Sequence, residues 1–257
     1  ILCHRFPEQV GRLVRVLSAP GTRFYIHVER TTDIAPFVDA VGSVKNIHFM
    51  EERETSPYGH VGIVEATLHA MERIVKDGHE GACVLLSGQD YRVKSNDRIR
   101  ALFKGRPDTV FMDVIPFPDD QVKEDGFIKP LSTMLPRIAH YKFNHATSRG
   151  AFIMMPSIWT MAFWGSLRSR IAQLRFLSSR TDHDLRRILT KRRFPNYVRP
   201  HYGGQWWSMP TSVAKEVVVF VKEHPDYLKF HEYSLLPDEM FFQPIIVALK
   251  DRGAAFD

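Results

Sequence analysis

Helical and strand periodicities alternate through roughly the first 115 residues, and this alternation restricts the fold more than any other feature of the chain. PEQVGRLVRVL (7–17) sets Val10, Leu13, Val14 and Leu17 at helical spacing, and RFYIHV (23–28) reads as a strand after a Pro-Gly break. NIHFM (46–50) is a short strand, VGIVEATLHAMERIV (61–75) an amphipathic helix and GACVLLS (81–87) a buried strand. NDRIRALFK (96–104) opens with an Asn cap and precedes a further strand, DTVFMDV (108–114). Such a rhythm predicts an α/β fold with a Rossmann-type, mostly parallel sheet flanked by helices.

Beyond residue 115 the rhythm breaks. IPFPDD is a turn-rich join, and residues 165–199 carry a dense run of arginines. Regular patterns return in TSVAKEVVVFVKEH (211–224) and PDEMFFQPIIVALK (237–250), both helical, with Pro244 making the second kinked or late-starting. There is no internal repeat and no low-complexity linker. A chain of 257 residues holds one large domain or two small ones. The simplest organisation is a single domain over 1–257, with a nucleotide-type half (1–115) and a second half (116–257) closing over it.

The longest apolar stretch, AFIMMPSIWTMAFWG (151–165), is interrupted by Pro156 and falls short of the roughly 18–20 residues that span a bilayer. It reads as buried core or as a surface that touches lipid. The text opens at Ile1 as if in mid-strand, so it bears on no leader segment. Cys3 and Cys83, both in apolar settings, point to buried free thiols and a reducing compartment, and are too few for a Cys-rich zinc site. The net charge of +6 points to an anionic partner: nucleotide, phospholipid or nucleic acid. The arginine run fits a basic patch, a source of cations for a nucleotide diphosphate, or a solvated helical face. Its aromatics, Phe176, Phe194 and Tyr197, are not spaced as a stacking platform, and no nucleic-acid motif accompanies them, so no nucleic-acid partner is expected.

Three clusters carry potential chemistry. In LLSGQDYRVKS (85–95) an apolar strand gives way to Ser87, Gln89 and Asp90, a favoured ligand position at the carboxyl end of a strand, though the same residues also make ordinary turns. Asp238 and Glu239 follow Pro237 at a helix start. The apolar run after them would desolvate Glu239 toward a general base, while the plain alternative is a good helix N-terminus. In HYGGQWWSMP (201–210) two glycines allow close backbone approach to a ligand and Trp206 or Trp207 an apolar wall for a sugar ring, or else the segment is a tight turn with buried aromatics. The histidines form no HExxH and no tight pair with a carboxylate, so no metal centre is expected.

Taken in order, YIHVE (25–29), SPYGHVGIVEATLHAM (56–71), CVLLSGQDYRVKSND (83–97), HYGGQWWSMP and LLPDEMFFQPII (235–246) resemble the Core-2/I-branching enzyme family, glycosyltransferases that include β-1,6-N-acetylglucosaminyltransferases and peptide O-xylosyltransferases. The resemblance implies a GT-A-like fold and an inverting, metal-independent transfer of a sugar, GlcNAc or xylose, from a UDP-sugar donor to an acceptor hydroxyl. It assigns Glu239 as the catalytic base, His27, Glu29, Ser87, Gln89 and Asp90 to the donor side, and Gln205, Trp206, Trp207 and Asp238 to the acceptor or sugar pocket. Glu29 stands where the family usually has Asp, Arg92 where it has Pro, and Gln205 at a position acidic in xylosyltransferase-like members. The family's diphosphate-binding Arg and Lys lie well downstream of the glutamate, so they are expected in a C-terminal tail beyond Asp257, with Arg252 or the arginine run as substitutes. Animal members are disulfide-rich Golgi membrane proteins. Two cysteines fit a bacterial or otherwise cytoplasmic member, peripheral at the inner face of an anionic membrane and acting on a glycan, polysaccharide or lipid-linked acceptor. An inactive nucleotide- or carbohydrate-binding module of the same fold is the alternative.

Overall fold

The computed structural model describes residues 1–117, 131–145, 151–178, 181 and 183–257. Its first part follows the alternation: β1 (Leu2–Cys3), α1 (Pro7–Leu17), β2 (Phe24–Val28), α2 (Ala35–Val41), β3 (Ile47–Phe49), α3 (Gly62–Lys76), β4 (Ala82–Val84), α4 (Asn96–Gly105), β5 (Phe111–Met112) and β6 (Ile115–Pro116). There follow α5 (Leu131–Ala139), β7 (His140–Asn144), β8 (Phe152–Pro156), α6 (Met161–Trp164), α7 (Leu167–Leu177), β9 (His201–Tyr202), β10 (Trp207–Pro210), α8 (Thr211–Glu223), α9 (Pro225–His231) and α10 (Phe242–Asp251).

The fold is α/β, as the periodicity predicts, and agrees with the GT-A-like arrangement. β1, β2 and β3 form a parallel sheet, with Leu2 opposite His27 and Phe24 opposite Ile47. A second sheet has the order β4-β10-β5, in which β10 runs antiparallel to both neighbours. The two sheets are joined where Leu2 takes a hydrogen bond from Gly88 N–H (2.9 Å) and gives one to Leu86 C=O (2.8 Å). This explains why the expected strand 81–87 stops early as a ladder: its first half pairs with β10 and its end pairs with β1.

Burial follows the sequence pattern. β2 is covered on both faces, and its residues Phe24, Ile26 and Val28 pack with Val10 and Val14 of α1 and Phe37 and Val41 of α2. The largest core joins Val64, Leu68 and Met71 of α3 to Val213, Val217 and Phe220 of α8 and Ile245 of α10. It draws on both parts of the chain because β10 inserts between two strands of the first. Full burial of such side chains stabilises by about 1.5–3 kcal/mol each. A third cluster, around Tyr141 and Phe143 of β7 and Phe163 of α6, backs the β7–β8 hairpin.

One element boundary differs from expectation and another resolves an alternative left open. The cap of α4 is Ser95, whose hydroxyl accepts from Arg98 N–H (3.4 Å), one residue before the expected Asn. Pro244 does delay the last helix: Pro237–Glu239 form a 3-10 turn, and α10 begins at Phe242, leaving Pro244 in a first turn where its missing N–H costs nothing.

Candidate active site

Parallel neighbours end on the same side of a sheet, so the carboxyl ends of β1, β2 and the β4 strand deliver His4 and Arg5, Glu29, and Ser87–Gln89 to one edge. Because β10 is antiparallel to β4, its amino end lies there too: Trp207 C=O accepts from Leu85 N–H at 3.0 Å, which brings Gln205 and Trp206 beside Ser87. The segment before α3 and the turn Leu236–Glu239 close the opposite side. Between them lies a cleft of about 680 Å³, lined by His27, Glu29, Ser87, Gln89, Gln205, Trp206, Asp238 and Glu239 together with Arg5 and Tyr58.

Glu239 is held from several directions. Leu236 adopts the left-handed conformation (φ 52°, ψ 58°), an arrangement costing a branched residue on the order of 1–3 kcal/mol, and turns the chain so that Pro237–Glu239 project into the cleft. Met240, Phe241 and Phe242 then anchor the segment in the core. Arg137 of α5, itself buried, donates Nη1–H to Glu239 Oε2 at 2.8 Å. The rings of the aromatic run point inward, and the Glu239 side chain keeps 24% of its surface exposed, so the carboxylate is partly withdrawn from water. A guanidinium at hydrogen-bond distance orients the carboxylate and offsets its charge.

Several expected contacts resolve differently. Trp206 is 45% exposed and faces the cleft, whereas Trp207 is 5% exposed and packs on Phe242 with ring centroids 5.6 Å apart. Successive strand residues point to opposite faces, so only one of the two can be a wall. The Asp90 carboxylate accepts from Ser87 N–H at 2.7 Å and braces its own turn, outside the cleft lining. Arg252 lies over the Phe220 ring, 5.5 Å from its centroid, and does not line the cleft. The glycines of GGQWW serve protein rather than ligand. A Cβ on Gly203 would stand 1.8 Å from Asp113 C=O, and Gly203 N–H donates to Glu239 C=O at 2.9 Å. The backbone passes this close to Asp113 where Gly203 ties the end of β9 to the Leu236–Glu239 turn. At the end of β2, Glu29 Oε2 accepts from Thr31 N–H (3.0 Å) and Thr31 Oγ1–H (2.6 Å), while Arg53 donates to the carbonyls of Val28, Glu29 and Thr32 and fixes that strand end.

Three cations at or beside the cleft were not anticipated. Arg5 follows the first strand; among the lining residues it is the one Arg or Lys. Arg137 sits in the stretch of weakest motif content. Lys142, fully buried in β7, donates to Tyr58 C=O (3.1 Å) and Gly59 C=O (2.5 Å) and so clamps the segment that walls the cleft. Burial pushes its ammonium down to about 8, with Asp238 opposing the shift. Alternation in HYKFN would set Lys142 on the face opposite Tyr141 and Phe143, so the sequence alone gives no signal for its burial. Among the described residues no group of three or more His, Cys, Asp or Glu side chains is placed to hold a metal ion. Cys3 and Cys83 are free and buried, and burial pushes the Cys3 thiol up to about 12, which makes it unreactive.

Two histidines fix the same wall as hydrogen-bond acceptors. His27 Nε2 accepts from Glu54 N–H at 2.8 Å, and His60 Nδ1 from Gly62 N–H at 3.0 Å. Burial above all lowers both imidazoles from 6.5 to about 4. Between those values the unfolded chain binds protons that the folded chain does not. Stability is therefore full above about pH 6.5 and falls as pH drops toward 4, by about 1.4 kcal/mol per pH unit for each such histidine. Urea midpoints measured across this window should show the decline; a flat profile would show that neither imidazole is held neutral by the fold.

No curated protein matches the chain significantly. The family model for the Core-2/I-branching enzyme matches residues 2–152. That span exceeds half of the chain and contains β1 through β7, with the strand ends that build one side of the cleft. The protein accordingly belongs to the Core-2/I-branching enzyme family of glycosyltransferases, which act on a sugar donor and a glycan acceptor.

Proposed function

We propose that the protein is an inverting, metal-independent glycosyltransferase that uses a UDP-sugar, with GlcNAc or xylose as the transferred residue. The observation that carries this reading is the meeting, in one cleft, of the Glu239 carboxylate with the polar turn Ser87–Gln89 at the carboxyl edge of the sheet. A strand-end turn is where an α/β sheet holds a nucleotide, and an oriented carboxylate across from it is what an acceptor hydroxyl needs.

In the proposed step, Glu239 takes the proton from the acceptor hydroxyl as that oxygen attacks the anomeric carbon. The new C–O bond forms on the face opposite the nucleotide, the bond from carbon to diphosphate oxygen breaks, and the electron pair leaves with UDP. Arg137 keeps the carboxylate aimed and balances its charge before the proton arrives. Trp206 offers a ring face to a sugar, and Asp238 and Gln205 offer polar contacts beside it. The leaving diphosphate needs a cation, and Arg5 supplies one from the end of β1. The reading takes the enzyme as cytoplasmic and its acceptor as a glycan, polysaccharide or lipid-linked molecule at an anionic membrane.

Calorimetric titration with UDP, UDP-GlcNAc and UDP-xylose in the presence of EDTA tests the donor side without knowledge of the acceptor. Binding of one UDP-sugar is expected, and Arg5→Ala should weaken it by about 10- to 100-fold, the range for loss of a charge-assisted hydrogen bond of roughly 1.5–3 kcal/mol. Absence of binding by a folded chain, or binding that appears only with added divalent cation, would overturn the metal-free reading.

A further inference from the structure

The excursion that follows β8 exposes more apolar surface than the rest of the molecule explains. Trp159, Met161 and Trp164 are 68%, 85% and 55% exposed, and Leu167, Ile171 and Leu189 are exposed beside them. The indoles are not simply wet tryptophans. Trp159 Nε1–H donates inward to Leu189 C=O at 2.6 Å, and Trp164 Nε1–H to Ile158 C=O at 2.7 Å. Each ring has therefore turned its one polar edge into the protein and leaves carbon facing out. Facing water, each N–H merely exchanges a water for a carbonyl; at a boundary with apolar material the same bond spares an N–H that would otherwise be left unpaired, so the orientation suits that boundary.

The charge around this surface names the material. Residues 151–199 contain ten Arg or Lys against two Asp. Arg168 and Arg175 are exposed on α7, and Arg186, Arg187, Lys191 and Arg193 are exposed on the segment that Trp159 is bonded to. Only Arg186 among these forms an ion pair within the described residues, with Asp184 at 2.9 Å. Aromatic and aliphatic carbon flanked by guanidinium groups complements a layer with an apolar interior and an anionic rim. No helix among the described residues is long and apolar enough to cross a membrane.

We infer that this face, built from the Trp159–Trp164 segment, α7 and the segment after it, docks on the surface of an anionic phospholipid bilayer without spanning it. The inference is independent of Glu239 and of the donor, since none of its residues lines the cleft.

Sedimentation of the chain with vesicles tests it, comparing phosphatidylcholine alone with phosphatidylcholine mixed with phosphatidylglycerol at physiological salt. The chain is expected to pellet with the mixed vesicles only. Arg168→Ala with Arg175→Ala should lower the partition coefficient by about 25-fold, at roughly fivefold for each basic residue near the surface. Met161→Glu, at a position 85% exposed and without packing partners to lose, should lower it without unfolding the protein, as circular dichroism would verify. Arg98→Ala with Arg100→Ala, on exposed α4, should leave it nearly unchanged. No pelleting with mixed vesicles overturns the proposal. So does an equal loss from the α4 pair, which would reduce the effect to net charge. A chain that self-associates in ultracentrifugation and is made monomeric by Met161→Glu also overturns it, because the face would then belong to a second copy.

Discussion

Glu239→Gln should lower turnover by about 10²- to 10⁴-fold while leaving UDP-sugar affinity nearly unchanged, because general-base assistance acts in the transition state and the amide keeps the shape. The substitution is conservative for the fold. Glu239 contributes its backbone to the turn through Gly203 N–H, and that bond does not depend on the side chain. Its carboxylate accepts from Arg137 at 2.8 Å, and a glutamine carbonyl still accepts from that guanidinium. Single-turnover kinetics beside calorimetry separate the two effects. A parallel loss of donor affinity would move Glu239 from proton transfer to donor recognition. Turnover absent from the unsubstituted chain as well, with donor binding intact, would favour a binding module on the same fold.

The largest effect on stability is expected at Arg192. The arginine run of residues 165–199 reads as a basic patch, a source of cations for a diphosphate or a solvated face, yet this arginine is buried, and burial lowers its guanidinium to about 9. Its Nη1–H groups donate to the carbonyls of His140 and Tyr233 (2.6 Å for Tyr233), and its Nη2–H groups to Phe230 C=O (3.1 Å) and Ser234 Oγ (2.6 Å). The rings of Tyr141 and Phe230 flank it at 5.4 and 4.3 Å. One side chain thus joins β7 to the end of α9 and to the segment that leads into the Leu236–Glu239 turn. Arg192→Met should cost about 3–5 kcal/mol, since four acceptors lose a charged donor at once in a site water does not reach. Arg192→Lys should recover less than half of that loss, because an ammonium lacks the planar fork that reaches both sides. Equilibrium urea unfolding measures both. A loss below about 1 kcal/mol for Arg192→Met would mean that the acceptors find water or one another.

Much of the architecture was legible. The alternation from 7 to 114 carried α1, α3 and α4 and the strands β2 to β5, though not α2, and Pro237 and Pro244 carried the late start of α10. The strand-end turn at Ser87–Gln89 and the carboxylate of Glu239, both singled out by their motifs, line one cleft. These features are local. Backbone hydrogen bonding and the fixed φ of proline act within a few residues, so the sequence itself reports them.

What remained hidden depends on pairs of residues far apart in the chain. That Trp206 faces the cleft and Trp207 the core could not be read from two identical neighbours, because alternation says that they diverge but not which way. Asp90 offers the same carboxylate whether it holds a ligand or braces a turn; the turn has it through Ser87 N–H. Arg137 and Glu239 are 102 residues apart, and Arg192 lies 52 residues from the His140 carbonyl that it holds. The chain by itself determined an α/β fold, its turns and the chemical groups available. Tertiary packing decided which of the charges are buried against partners and which face water or a ligand, since that choice rests on desolvation and on contacts that exist only once distant segments have met.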